Sequence, residues 1–199
     1  MKNRQTVKLS ISAGTFFATC AITIFCFYLA TTAINYLPMK TNYATYVRQD
    51  RDFVQEAKKI TQIYNTDMSV SRIRHLLIYI DGLCNYYDID YNMVKKIIAA
   101  ESSWKSKARS HTNDRGLMQI SKGVASDHNT AHHSCADPYT SITIGIRHLS
   151  LLKDEVGNFP SKILYAYHHG LSAGMKVSLA RTSVDDYVTR VQSMKIEPK

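Results

Sequence analysis

Apolar residues recur at helical spacing along most of the chain beyond residue 50, whereas nearer the start they run together almost without interruption. From Ser69 to about Tyr87, Ile73, Leu76, Leu77, Ile80, Leu83 and Cys84 fall three and four apart, with Arg72 and Arg74 off the stripe. This spacing predicts a core-facing helix. An earlier helical pattern begins around Asp52 (DFVQEAKKITQIYN). Asp90 can cap a further helix through Glu101, in which Val94, Ile97, Ile98 and Glu101 share one face. From Ser106 to Pro138 the residues favour loops, with Asn113-Asp114, Gly116, Gly123 and a polar, His-rich patch. Helical spacing resumes at Ile142, Ile146, Leu149 and Leu152, again from Ser161 to His169 with Gly170 as a stop, and last over about Val184 to Met194. No stretch shows sustained strand alternation, so the fold class expected is mainly α.

The uninterrupted run is of another kind. No charged residue lies between Lys8 and Lys40, and Phe16 to Ala30 is almost wholly apolar. A span of roughly 20 apolar residues crosses a bilayer core as a helix. Lys2, Arg4 and Lys8 precede it, which sets the N-terminus in the cytoplasm and exports the remainder. The alternative is a signal peptide cut near Ala30-Thr31-Thr32-Ala33, against which the length of the apolar run argues. The expected organisation is a cytoplasmic tail over 1–8, a transmembrane anchor or uncleaved signal sequence over 9–37, a linker and accessory helix over 38–68, and one domain over 69–199.

Export changes how the cysteines read. Cys20 and Cys26 fill the apolar run, while an oxidising compartment permits a disulfide between Cys84 and Cys135. The alternative is that both are small buried apolar residues. Of the formal net charge of +9, Lys2, Arg4, Lys8 and Lys40 account for four, which leaves +5 on the exported part. That surplus suits an anionic polymer but would equally suit nucleic acid or lipid headgroups. No nucleic-acid-binding motif, Gly-rich phosphate loop or low-complexity tract is present, so no nucleic-acid partner is expected.

Glu101 carries the chemical signal, because a carboxylate occupies a position where the helical period calls for an apolar side chain. Burial of a carboxyl disfavours its ionised form and raises its pKa, as a general acid working near neutral pH requires. The bland alternative is a helix-end glutamate reaching solvent or a lysine. The surrounding residues favour the first reading. Glu101-Ser102-Ser103-Trp104 is followed by Ser110, then by Gly116-Leu117-Met118-Gln119-Ile120, and later by Ala166-Tyr167-His168-His169-Gly170. From roughly Tyr87 to Val191 this series resembles the soluble lytic transglycosylase family, lysozyme-like enzymes that cut the glycan strands of peptidoglycan.

The resemblance implies a lysozyme-like helical domain behind a single transmembrane helix. It implies Glu101 as acid and then base, with no cofactor and no metal. It further implies substrate-binding roles for Ser102, Ser110, Met118, Gln119, Tyr167 and His168, with the Tyr167 hydroxyl near the catalytic carboxyl. Met118 also reads as core, and Trp104, directly after a buried helix, reads as core rather than as a sugar platform. His168 stands where the family usually has asparagine, Ser121 where methionine is common, and Ser141 where asparagine is frequent, which leaves the shape of the sugar subsites open. His111, His128, His132 and His133, with Cys135 nearby, lack the i, i+4 spacing of a helical zinc site. The partners implied are peptidoglycan glycan strands, the bacterial inner membrane through the N-terminal helix, and an envelope-spanning secretion or growth complex. The domain itself is then periplasmic. Asp114 or Asp127 would position water if the reaction were hydrolysis, and a catalytically silent wall-binding component is the rival from outside enzymology.

Overall fold

The structure, a computed structural model, describes residues 43–195, with side chains from Asp52 onward. The chain divides into two units, Met1–Arg48 and Gln49–Lys199, and the second carries the apolar core. The transmembrane anchor expected over 9–37 lies outside the described residues, and none of the described helices is long and apolar enough to cross a membrane.

Every regular element among the described residues is helical. Helix α1 spans Tyr43–Tyr64, α2 Val70–Tyr87 and α3 Tyr91–Ser102. A short α4 (Lys122–Asp127) and a 3₁₀ turn (His132–Ala136) interrupt the segment expected as loop. Next come α5 (Pro138–Val156), α6 (Pro160–His169), α7 (Leu171–Lys176), α8 (Leu179–Thr182) and α9 (Asp186–Ser193). Side-chain caps set the starts: Ser69 for α2, Asp90 for α3, Ser121 for α4, Asp137 for α5 and Asp185 for α9 each accept from backbone N–H groups of the first turn. Each such cap is worth about 1 kcal/mol.

The predicted stripe of α2 is buried at Ile73, Leu76, Leu77, Ile80 and Cys84, with Leu83 at its margin. It packs on α5, whose Ile142, Ile146, Leu149 and Leu152 are fully buried. Helix α3 buries Val94, Ile97 and Ile98 and packs on α9 through Val188 and Val191. Each such aliphatic side chain contributes about 1.5–3 kcal/mol on burial. Helix α1 belongs to this core as well, through Phe53, Ala57 and Ile60. It also carries a buried polar bond. Lys95 of α3, only 4% exposed, pairs with Glu56 of α1, and the Tyr91 hydroxyl donates to the same carboxylate at 2.9 Å. The segment expected as linker and accessory helix is therefore integral to the core from Asp52 onward.

The disulfide that the sequence permits between Cys84 and Cys135 is not formed, and both are free, buried thiols. Cys84 sits on the core stripe of α2, where burial first and nearby carboxylates second push its thiol up to about 12. Cys135 is fully buried in the 3₁₀ turn. Each fills the core as a small apolar residue, the alternative reading of the sequence.

Candidate active site

Glu101 occupies the last turn of α3, one turn beyond the fully buried Ile97 and Ile98. The chain then reverses sharply: Ser103 and Trp104 both take left-handed backbone angles, with φ of 50° and 58°. Such angles are costly for residues other than glycine and persist only where the surroundings enforce them. Here the Trp104 ring is fully buried, its carbonyl accepts from the Thr66 hydroxyl, and Asp67 accepts from both the backbone N–H and the hydroxyl of Ser106 at 2.8 and 2.7 Å. The helix end bearing Glu101 is thus held from both sides of the turn.

Glu101 opens into a groove of about 730 Å³ lined also by Ser110, Asp114, Gln119, His148, Tyr167, His168 and Arg190. That volume suits a ligand of small-molecule size. The Tyr187 hydroxyl donates to Oε1 of Glu101 at 2.7 Å. Burial raises the carboxyl pKa and Asp114 adds to the rise, whereas the Tyr187 bond and the Arg190 charge oppose it, and the net direction is upward. A carboxyl so placed keeps its proton closer to neutral pH than an exposed one.

The second wall is the segment 108–120, tied by single antiparallel bridges between Arg109 and Arg115 and between Arg115 and Ile120. Ser110 donates to Asp114 Oδ2 at 3.0 Å, accepts from the Asp114 N–H at 2.9 Å, and shares a 2.7 Å bond with Thr112. Gln119, at a φ of 48°, donates from Nε2 to the Gly116 carbonyl at 2.9 Å. Two side chains hold the backbone of Met118: its N–H donates to Ser141 at 3.0 Å, and its carbonyl accepts from Tyr167 at 2.7 Å. Gly116, at a φ of 79°, is required here, because a Cβ would lie 2.1 Å from the Cys135 carbonyl oxygen.

Of the residues singled out from the sequence, Glu101, Ser110, Gln119, Tyr167 and His168 line the groove. Ser102 and Met118 do not. Ser102 is buried and its hydroxyl returns to the Ile98 carbonyl at 2.9 Å. Met118 is fully buried against Gly145, where a Cβ would lie 2.3 Å from its sulfur, so it acts as core. The hydroxyl on the Glu101 carboxyl belongs to Tyr187 rather than to Tyr167, whose hydroxyl is committed to the Met118 carbonyl. Tyr187 escapes a sequence reading because, in an amphipathic helix with Val188 and Val191, a tyrosine looks like an ordinary core residue.

His168 stacks face to face on Tyr187, with ring centroids 4.2 Å apart and planes 6° apart. His169 bonds Asp185 at 2.9 Å, and the other oxygen of Asp185 accepts from the N–H groups of Tyr187 and Val188. The end of α6 and the start of α9 are joined there. His148 also lines the groove, and burial first and His128 second push its pKa down to about 4, which leaves the ring neutral. No group of three or more potential metal ligands occurs among the described residues. His132 bonds the Ile120 carbonyl at 3.0 Å instead.

Known proteins resemble parts of this chain. The membrane-bound lytic murein transglycosylase E of Buchnera aphidicola subsp. Acyrthosiphon pisum (strain APS) is 31% identical, over 46% of this chain and 48% of its own length. The chain therefore spans about half the length of this curated relative. The X-ray structure of an inactive mutant of the lytic transglycosylase Slt from Pseudomonas aeruginosa is 18% identical, with a TM-score of 0.49, over 57% of this chain and 22% of that one. The family model described as "Transglycosylase SLT domain" matches residues 79–188, more than half of the chain, and the protein accordingly belongs to the transglycosylase SLT domain family.

Proposed function

We propose that the chain is a peptidoglycan lytic transglycosylase that cleaves the β-1,4 bond between N-acetylmuramic acid and N-acetylglucosamine without water. Glu101 protonates the glycosidic oxygen, the muramyl 6-hydroxyl attacks the anomeric carbon of the same residue, and the Glu101 carboxylate takes up the hydroxyl proton. The product is a 1,6-anhydromuramyl end. The observation that carries this reading is a half-buried carboxyl at the groove wall, its pKa raised by burial and its orientation fixed by the Tyr187 hydroxyl. Internal attack draws on a high effective concentration once the sugar is held in place. It needs no second carboxylate to activate water, which hydrolysis by the two-carboxylate route requires.

Asp114 and Asp127 also line the groove and sustain a hydrolytic alternative. Asp114, however, already accepts from the Ser110 and Thr112 hydroxyls at 3.0 and 2.7 Å. Ser110, Gln119, Tyr167 and His168 supply the remaining polar contacts to the strand in this reading. The N-terminal apolar run tethers the enzyme to the bacterial inner membrane with its catalytic domain in the periplasm, or is removed on secretion to the same compartment. Tethering fits local opening of the wall for an envelope-spanning secretion or growth complex.

Incubation of the full chain with purified peptidoglycan, beside its Glu101→Gln variant, tests the reaction by product mass. Anhydromuramyl products from the parent alone support the proposal. Reducing-end products indicate hydrolysis, and binding without products from either form indicates a silent wall-binding component.

A further inference from the structure

Among the described residues, Arg190 is the one lysine or arginine that lines the groove, alongside Glu101, Asp114 and Asp127. It lies three residues after Tyr187 on α9, hence on the same helix face. Its guanidinium sits 5.3 Å from the centre of the Tyr187 ring, and that ring's hydroxyl bonds Glu101. Arg190 is exposed to solvent, and its charge acts on Glu101, yet among the described residues its side chain makes no hydrogen bond or ion pair. An arginine held by an aromatic face, with its donor fork left open toward a groove, is built to receive a planar anion, since five fixed N–H groups match a carboxylate two at a time.

This inference rests on the peptidoglycan reading of the groove. In a glycan strand of alternating N-acetyl sugars, the anionic groups belong to the muramyl unit. They are the lactyl carboxylate where the stem peptide has been removed, and the peptide carboxylates where it remains. We propose that Arg190 is a specificity-determining residue that binds a carboxylate of the muramyl side group, beside the bond that Glu101 protonates. It selects muramyl-containing strands over neutral N-acetylglucosamine polymers and fixes which sugar faces the acid.

The test uses the full chain carrying Glu101→Gln, so that binding is read without turnover, with and without Arg190→Gln or Arg190→Lys. Four probes are compared: glycan strands with stem peptides, strands stripped to free lactyl carboxylates, and each of these with its carboxylates converted to amides. Loss of one charged bidentate contact weakens binding about tenfold. Arg190→Gln is expected to weaken binding by about that factor to carboxylate-bearing strands only, with Arg190→Lys intermediate. A deficit on stripped strands assigns the lactyl group, and a deficit confined to peptide-bearing strands assigns the stem peptide. An equal deficit on the amidated strands overturns the proposal, as does unchanged binding. With Glu101 intact, a displaced pH profile of kcat at constant KM would likewise show that Arg190 acts only on the acid. If the unaltered enzyme yields no products from any strand, the transglycosylase reading falls, while the binding ratios still decide the role of Arg190.

Discussion

The Tyr187 hydroxyl donates to the Glu101 carboxyl at 2.7 Å across 86 residues of sequence, and the two meet where α9 packs on α3. The bond stabilises the carboxylate and so opposes the effect of burial on Glu101. Tyr187→Phe removes that opposition, and the Glu101 pKa rises further. In the proposed mechanism the first step needs a protonated Glu101, so activity is expected to be lost as pH rises through that pKa, and in the variant this limb of the kcat profile should move to higher pH. Proton donation to the glycosidic oxygen then leaves a carboxylate with one hydrogen bond fewer, and kcat is expected to fall about tenfold, the loss of one hydrogen bond to a charged group. Rates of anhydromuramyl product formation across the pH range check both effects, and an unmoved limb would count against Tyr187.

Glu101→Gln, which the proposed mechanism expects to remove turnover, should also change stability with a definite sign. A carboxyl whose pKa is raised in the native state holds its proton longer when folded, so its stabilising contribution is full below the unfolded pKa and lost as pH rises through the native value. Glutamine keeps an acceptor for Tyr187 and does not ionise. The melting temperature of the variant relative to the parent should therefore increase from acid to neutral pH, as seen by thermal denaturation in matched buffers.

Glu56→Gln leaves the buried Lys95 without its counter-charge. Breaking one partner of a buried pair costs about 3–5 kcal/mol. Lys95→Met with Glu56→Gln removes both charges and should recover most of that loss. Urea denaturation of the single and double variants reads the difference, and hydrogen exchange should place the first opening at α1.

Gly116→Ala sets a Cβ 2.1 Å from the Cys135 carbonyl oxygen and 2.7 Å from Ser141 at a backbone angle that disfavours it. Backbone atoms on one side cannot give way, and a destabilisation of about 3 kcal/mol or more is expected. Since the same segment carries Gln119 and Ser110, substrate binding should fall together with stability. A melting curve beside a binding titration separates this variant from one that merely alters the groove.

Cys84 and Cys135 are both free and buried. Alkylation of the folded protein should therefore spare them, and alkylation after unfolding without reductant should label both, as peptide mass mapping would show.

Long periodic elements are legible because period and burial say the same thing over many turns. The stripes of α2, α3 and α5 lie where the spacing of Ile73 to Cys84, of Val94 to Ile98 and of Ile142 to Leu152 puts them. Glu101 stands out for the same reason, as a charged side chain in register with apolar ones. Helices α7 and α8, of six and four residues, are too short to show a period. Ser102 and Met118 sit inside motifs that the resemblance reads as functional, and only packing reveals that their side chains turn inward. Trp104 reads as core from its place after a buried helix, and it is fully buried. Tyr187 belongs to a meeting of distant segments, which no local pattern of sequence encodes.

The distance in sequence between Glu101 and Tyr187 also sets an order of assembly. During synthesis α3 emerges and can cap itself well before α9 exists. The nascent domain thus holds the Glu101 carboxyl without the hydroxyl that orients it, and the wall bearing Arg190 is missing as well. The contact between carboxyl and hydroxyl comes into being only when α9 docks, so a partly made or clipped chain carries Glu101 with its environment unfinished.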